Sequence, residues 1–278
     1  MLRLNAVGSR ARRARTWGTL SLLAACGDST APGAGSAFFR LATVNARPLP
    51  FICPPGIGTS VSCVIFRGEL LLRRDATFTL GIEGIPFLFE GTYVRARDSV
   101  RYTVPNGDPS QPPIVFSTAV AGDSLWLELV PPPPLTLLFR SSAMPSGSIA
   151  SASYVLSEAN GRSGQPVILG DTTIGGTRYV YRVDFDTLRL KDGVFFEQHR
   201  AESSTVYPPN ADSLRDEREA ISFGSFTSEG GWVVLRRYSA PLPSQTLTDS
   251  LATGGGTLTR TTRLINNRSR VERYSRIR

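Results

Sequence analysis

The chain repeats itself, and this narrows the folds open to it more than any single motif does. Phe39-x-Leu41-x-x-x-Asn45-x-Arg47 matches Tyr154-x-Leu156-x-x-x-Asn160-x-Arg162 at an offset of 115 residues. Three further matches follow in the same order. Leu70-x-Leu72 with Asp75-Ala76-Thr77-Phe78 pairs with Leu188-x-Leu190 with Asp192-Gly193-Val194-Phe195, Gly91-Thr92-Tyr93 with Gly224-Ser225-Phe226, and Asp123-Ser124-Leu125 with Asp249-Ser250-Leu251. Two copies of one supersecondary unit are expected, joined by the small polar stretch 141–153. After the first match the offset drifts, most of all in stretches such as 200–220. A surface loop of unequal length is the expected cause.

Within each copy the hydrophobic period is two. Phe78, Leu80 and Ile82 alternate with Thr77, Thr79 and Gly81; Val100, Tyr102 and Val104 alternate with Arg101 and Thr103; Leu125, Leu127 and Leu129 alternate with Trp126 and Glu128. That spacing predicts half-buried antiparallel strands. In the second copy Val183 and Phe185, Leu188 and Leu190, Val194 and Phe196, and Trp232 and Val234 are expected to face a core. Turn residues punctuate the pattern at Arg74-Asp75, Asn106 to Pro109, Gly122-Asp123, Lys191 to Gly193 and Gly254 to Gly256. The 26 Gly and 20 Pro leave no room for long helices, and 41% hydrophobic against 19% charged residues is too apolar for a disordered chain. The expected fold is all-β: two tandem antiparallel meander β-barrels of seven or eight strands each, 37–140 and 154–278. A meander has to close in this way, or stack on a second sheet, to bury one face and protect its edges.

The N-terminus has the three-part layout of a secretory signal. Residues 1–16 are basic and free of acids, 17–25 form a short apolar run, and small residues precede Cys26. Leu23-Ala24-Ala25-Cys26-Gly27 resembles the bacterial lipobox. The resemblance implies cleavage after residue 25, acylation of Cys26 and anchoring to membrane lipid, with 26–36 as a flexible tether. Gly27 after the cysteine, by similarity to proteobacterial sorting, points to the outer rather than the inner membrane of the cell envelope. Cys53 and Cys63 then remain as an even pair flanking a Pro-Pro-Gly-Ile-Gly segment in an oxidising compartment, and a structural disulfide is the expected state. Metal binding by those thiols lacks further ligands, and a redox pair more often reads C-x-x-C.

The formal net charge of +8 is mostly leader. Without its five arginines the chain carries 26 basic and 23 acidic residues, which gives nucleic-acid binding little support. A basic cluster survives at the C-terminus: Arg260, Arg263, Arg268, Arg270, Arg273, Arg276 and Arg278, broken only by Glu272. It reads as a solvated strand face, with contact to an anionic lipid or polyanion as the other reading.

The opening aromatic-x-Leu, the Leu-x-Leu with its Asp-x-x-Phe turn, the Gly-[Thr or Ser]-aromatic and the closing Leu138-Phe139-Arg140 and Tyr274-Ser275-Arg276 resemble the small lipocalin-like barrels of bacterial envelope lipoproteins. The resemblance implies a fold and leaves function open.

No catalytic constellation stands out. His199, the only histidine, shares a strand face with Glu197 and reads as structural; Asp184 and Asp186 also share a face, with solvation favoured over a carboxylate pair or calcium site. Nucleophile-elbow, zinc-protease and phosphate-loop motifs are lacking, so the chain is read as a non-enzyme without cofactor or metal. Aromatics suited to lining a pocket for a small apolar ligand are Phe87, Phe89, Tyr93 and Trp126 in one copy and Tyr179, Tyr181, Phe196 and Trp232 in the other. The alternative is a structural or protein-interaction module of the envelope, with a protein partner and no small-molecule ligand.

Overall fold

The computed structural model describes residues 36–52, 64–84, 88–129, 135–145, 149, 151–238, 248–263 and 269–277. Cys26, Cys53, Cys63 and Phe87 lie outside the described residues. The chain divides into two compact units, and every regular element among the described residues is a strand. The first unit holds β1 (Ala37–Val44), β2 (Arg47–Pro48), β3 (Phe51–Ile52), β4 (Val64–Ile65), β5 (Gly68–Leu72), β6 (Thr77–Ile82), β7 (Phe89–Arg95), β8 (Ser99–Val104), β9 (Ile114–Ala121), β10 (Ser124–Leu129) and β11 (Leu135–Ser142). The second holds β12 (Ala152–Ala159), β13 (Arg162–Ser163), β14 (Val167–Ile174), β15 (Thr177–Lys191), β16 (Phe195–Tyr207), β17 (Leu214–Glu229), β18 (Trp232–Arg237), β19 (Thr248–Gly254), β20 (Thr257–Arg263) and β21 (Ser269–Ile277).

Both units are closed antiparallel barrels of eight strands. In the first, β5 to β11 run as a meander and β1 joins β5 to β11; in the second, β15 to β21 meander and β12 joins β15 to β21. The tandem lipocalin-like architecture expected from the repeat is thus present. Closure removes the free sheet edges that an open meander would expose.

The two barrels share small devices at matching places. The seam of β1 on β11 bulges between Leu41 and Thr43, and that of β12 on β21 between Leu156 and Glu158. Asn45 and Asn160 sit just beyond with φ of 50° and 51°, a left-handed conformation that asparagine tolerates better than most residues. Each clips its strand to the closing region. The Asn45 N–H donates to Thr136 O at 2.8 Å while its Oδ1 accepts from Thr136 N at 2.7 Å. The Asn160 N–H donates to Val271 O at 2.8 Å and its Oδ1 accepts from Val271 N at 3.0 Å.

The first barrel is filled by its own side chains. Phe78, Tyr102 and Phe116 pack together, Phe78 edge-on to Tyr102 at 4.8 Å and Tyr102 stacked on Phe116 at 4.8 Å, with Phe89 edge-on to Phe116 at 6.1 Å. Leu125, Leu127, Leu137 and Phe139 complete the core. Inside the second barrel Leu156, Leu188, Leu190, Phe196, Phe226, Val233, Leu235 and Leu251 form a corresponding apolar core.

The second barrel departs from the first in strand length, and here the expectation of a loop at 200–220 is corrected. β15, β16 and β17 run for 15, 13 and 16 residues, against 5, 6 and 7 for β5, β6 and β7 in the equivalent places. The extra residues are strand: pairing between β15 and β16 continues to Arg178↔Tyr207, and between β16 and β17 to Val206↔Leu214. With β14 on β15 they form a four-stranded arm beyond the closed part of the barrel. Charged residues, unbroken from Arg215 to Glu219, keep this extension soluble, and Arg178 makes a two-bonded contact with Asp171 at 2.9 and 2.6 Å. Such exposed pairs contribute little to stability.

Two core assignments also change. Val233 and Leu235 face inward, whereas Trp232 is half-exposed and Val234 shares its outward parity. Along β15 a bulge lies between Val183 and Phe185, so Val183 is buried, Phe185 turns outward against His199, and Asp186 turns inward.

Candidate functional site

The bulge on β15 places charge inside the second barrel. Asp186 is fully buried; it accepts from Gln198 Nε2 at 2.9 and 3.0 Å, Arg200 Nη1 at 2.8 Å and Tyr274 Oη at 2.8 Å. The equally buried Glu272 accepts from Arg200 Nη2 at 2.8 Å and Nη1 at 3.2 Å, and from Arg260 Nη1 at 3.4 Å. Gln198 Oε1 in turn accepts from Arg237 Nη2 at 3.2 Å and Arg260 Nη2 at 3.3 Å, and Arg237 Nη2 donates to Asp249 Oδ2 at 2.9 Å. Arg260 also lies over the ring of Tyr274, 5.4 Å from its centroid.

Two sequence expectations are thereby corrected. Asp184 and Asp186 do not form a solvated pair: Asp184 stays partly exposed beside Arg182 at 3.3 Å and Arg215 at 3.7 Å, while Asp186 is sealed inside. The C-terminal basic cluster is not uniformly a solvated face either. Arg260 is buried and Arg270 partly so, because they share inward parity with Leu258 and with Glu272 and Tyr274 respectively, whereas Arg273 pairs outside with Glu158 at 2.9 Å.

The electrostatics follow from this packing. Burial works to raise the Glu272 carboxyl, but hydrogen bonding with Arg200 and the charges of Arg200, Arg260 and Arg270 prevail and hold its pKa below the ordinary value. Burial alone would lower Arg200; its bonds to Glu272 and that carboxylate's charge reverse the effect and raise it. Arg237 is lowered by burial despite Asp249, and burial drives the Tyr274 phenol well up. Among the described residues, the Nε groups of Arg237, Arg260 and Arg270 are buried without a hydrogen-bond partner. Arg270 Nε lies 3.2 Å from Glu272 Oε1 but is not aligned for a hydrogen bond.

A cavity of about 430 Å³ opens beside this network where the arm meets the barrel. Its wall takes Leu169 and Gly170 from β14, Tyr181 and Arg182 from β15, Glu202, Ser203 and Ser204 from β16, Asp216 and Arg218 from β17, Arg270 from β21, and Asn160. Two of these connect it to the buried charges: Arg200 Nε donates to Glu202 Oε1 at 2.7 Å, and Arg270 approaches Glu272. The cavity wall mixes charged, hydroxyl and carboxamide groups with apolar surface from Leu169 and Tyr181, in contrast to the aromatic-lined pocket expected from the sequence.

The aromatics fall in several places. Phe89 and Phe196 are core residues, and Tyr93 is part-buried with its hydroxyl donating to Arg73 O at 2.7 Å. Trp126 and Trp232 are exposed on their barrels, Tyr179 is part-buried on the arm, and Tyr181 lines the cavity. His199 lies edge-on to Phe185 at 4.7 Å and contacts Glu219, while Glu197 pairs with Lys191 at 3.1 Å. No group of three or more His, Cys, Asp or Glu suited to a metal occurs among the described residues.

No family model matches the chain, and no curated protein matches it. Solved structures similar to it include intact Ap-TbpB with its N and C lobes, at 6% identity and a TM-score of 0.24, covering 87% of this chain and 77% of that one. Another is a single-substitution mutant of the vaccine antigen Transferrin Binding Protein B from Haemophilus parasuis Hp5, at 9% identity and a TM-score of 0.25, covering 87% and 76%. Superpositions this loose place no residue of this chain on a site of those proteins.

Proposed function

We propose that this is a non-catalytic, lipid-anchored protein of the bacterial cell envelope that binds a partner protein through the arm of its second barrel. The observation that carries this reading is a row of mostly apolar side chains where no core needs one. Register puts Thr172, Tyr179, Val206 and Leu214 directly opposite one another across all four strands of the arm, with Ile174 beside them on the same face. Leu214 is 68% and Ile174 66% exposed. Contiguous exposed apolar surface on a sheet that the barrel's closure does not use is characteristic of an interaction site. Among the described residues β14 pairs only with β15, and an extended partner segment can add at that edge as a further strand. An apolar ligand inside either barrel is less well supported, because both lumens are occupied by buried side chains. A photo-crosslinking residue at Leu214 should give one discrete adduct in the producing cell, and Ile174→Glu should abolish it. Absence of any adduct, or an adduct indifferent to Ile174→Glu, would refute the reading.

Two features of the reading concern residues beyond the described ones. Acylation of Cys26 supplies the anchor; with about 0.8 kcal/mol for each buried methylene, several chains hold a protein to a bilayer durably. Cys26→Ala should therefore move the protein from the membrane pellet to the soluble fraction, and retention in the pellet would remove the anchor. The disulfide between Cys53 and Cys63 rests on their being the even pair left in an oxidising compartment. The oxidised protein should resist thiol alkylation until reduced; two alkylated thiols without reductant would exclude the bond.

A further inference from the structure

We propose that the cavity of the second barrel binds a small hydroxylated organic anion, of the chemical class of a sugar acid such as a uronate. Three guanidinium groups, from Arg200, Arg260 and Arg270, converge on the single carboxylate of Glu272. Arg200 has further partners in Asp186 and Glu202 and Arg260 a second in Asp249 at 3.7 Å, but among the described residues Glu272 is the only ion-pair partner of Arg270. Arg270 is also the member of the trio that lines the cavity, and its Nε has no hydrogen-bond partner. An anionic group placed beside it gives Arg270 a counter-charge that it does not share with Arg200 and Arg260, in a setting partly shielded from water, where such a contact is worth more than on an open surface.

The rest of the wall mixes polar groups with apolar surface, which suits a hydroxylated body that also has a carbon face. Ser204 and Asn160 offer hydroxyl and carboxamide groups, Asn160 with its oxygen already engaged by Val271, and Glu202 is a carboxylate acceptor at 46% exposure. The half-exposed ring of Tyr181 gives one apolar flank of the kind that packs on the carbon face of a sugar. About 430 Å³ lies within the usual size range of small-molecule sites. A fatty acid, by contrast, would leave these polar groups unpaired. The inference stands apart from the docking proposed for the arm's apolar row, because that row and the cavity wall are different residues of the same sheet face.

The test uses the full-length chain in detergent, titrated calorimetrically with sodium glucuronate, glucose, decanoate and inorganic phosphate as separate probes. Glucuronate should bind at least tenfold tighter than glucose, decanoate or phosphate. Arg270→Gln should weaken glucuronate binding at least tenfold and Tyr181→Ala several-fold, the latter being an exposed side chain whose removal leaves the fold intact. Leu214→Asp should leave glucuronate binding unchanged while disturbing any arm partner. Equal binding of glucose would overturn the role of charge, equal binding of phosphate would overturn the hydroxylated body, and preference for decanoate would overturn both. Undiminished binding by both Arg270→Gln and Tyr181→Ala, or no binding of glucuronate at all, would remove the site.

Discussion

Alanine at position 224 is expected to destabilise the second barrel by about 3 kcal/mol, well above the usual effect of adding one methyl group. Gly224 pairs with Phe196 on one side and Arg237 on the other. A Cβ built on it would overlap the backbone carbonyl of Arg236 and crowd the ring of Phe196, and neither the ladder nor the buried ring can move away cheaply. Gly91 holds the equivalent place in the first barrel: it pairs with Phe78, and its added Cβ would overlap the carbonyl of Thr103. Glycine here permits the close approach of neighbouring backbones as the sheet curls around an inward aromatic. Denaturation followed by tryptophan fluorescence separates the two barrels, Trp126 reporting on the first and Trp232 on the second. Gly91→Ala should lower the Trp126 transition and Gly224→Ala the Trp232 transition. Gly107→Ala, whose Cβ meets nothing within 4 Å, should stay within about 0.5 kcal/mol of the parent. Parent-like stability in Gly224→Ala would mean that the strands do not approach as closely as described.

That pair of glycines shows what the sequence disclosed well. Repeated Gly-[Thr or Ser]-aromatic, repeated Asn-x-Arg and period-two alternation each report a backbone requirement of a curled meander, and these requirements survive wherever the local geometry is the same. The turn motif was legible only approximately. Pairing of Leu72 with Ala37 and of Leu190 with Ala152 puts Phe78 in the place of Phe196, one step from the Phe195 that the motif match chose. The arm is not legible as strand because a polar strand segment exposed along its length has no apolar alternation to announce it: residues 214–220 are all exposed, yet hydrogen-bonded to β16.

The buried charges were hidden for a different reason. A bulge adds one residue and flips every side chain beyond it, so Asp186 could not be assigned to the interior by counting from Val183. A weaker signal was present. Arg260 follows Leu258 by two, and Asp186, Leu188 and Leu190 share parity, so polar residues stand in phase with inward apolar ones. Knowledge of the inward phase of each strand would have exposed the cluster, but the cavity beside it depends on arm residues that only pairing brings together.

Glu272→Gln is expected to cost the second barrel about 3 to 5 kcal/mol at pH 7, the usual consequence of removing one partner from a buried ion pair. The substitution keeps the shape of the side chain and deletes only its charge, so Arg200, Arg260 and Arg270 are left facing each other around a neutral group. The same linkage sets a pH dependence. Because the folded Glu272 carboxyl titrates below the ordinary glutamate value of 4.5, the unfolded chain takes up this proton at higher pH than the folded one. Its stabilising share is therefore complete above about pH 4.5 to 5 and is lost as pH falls through the lower folded value. Other carboxylates lower the stability of parent and variant alike in acid, and the difference between the two proteins isolates Glu272. In a Trp126→Phe background, with Trp232 as reporter, that difference should be largest near neutrality and shrink on acidification below pH 4.5, since a protonated glutamate resembles glutamine. A difference that stays constant down to pH 3 would show that Glu272 is not held ionised by its three arginines. No difference at pH 7 would show that the network contributes nothing to the barrel it fills.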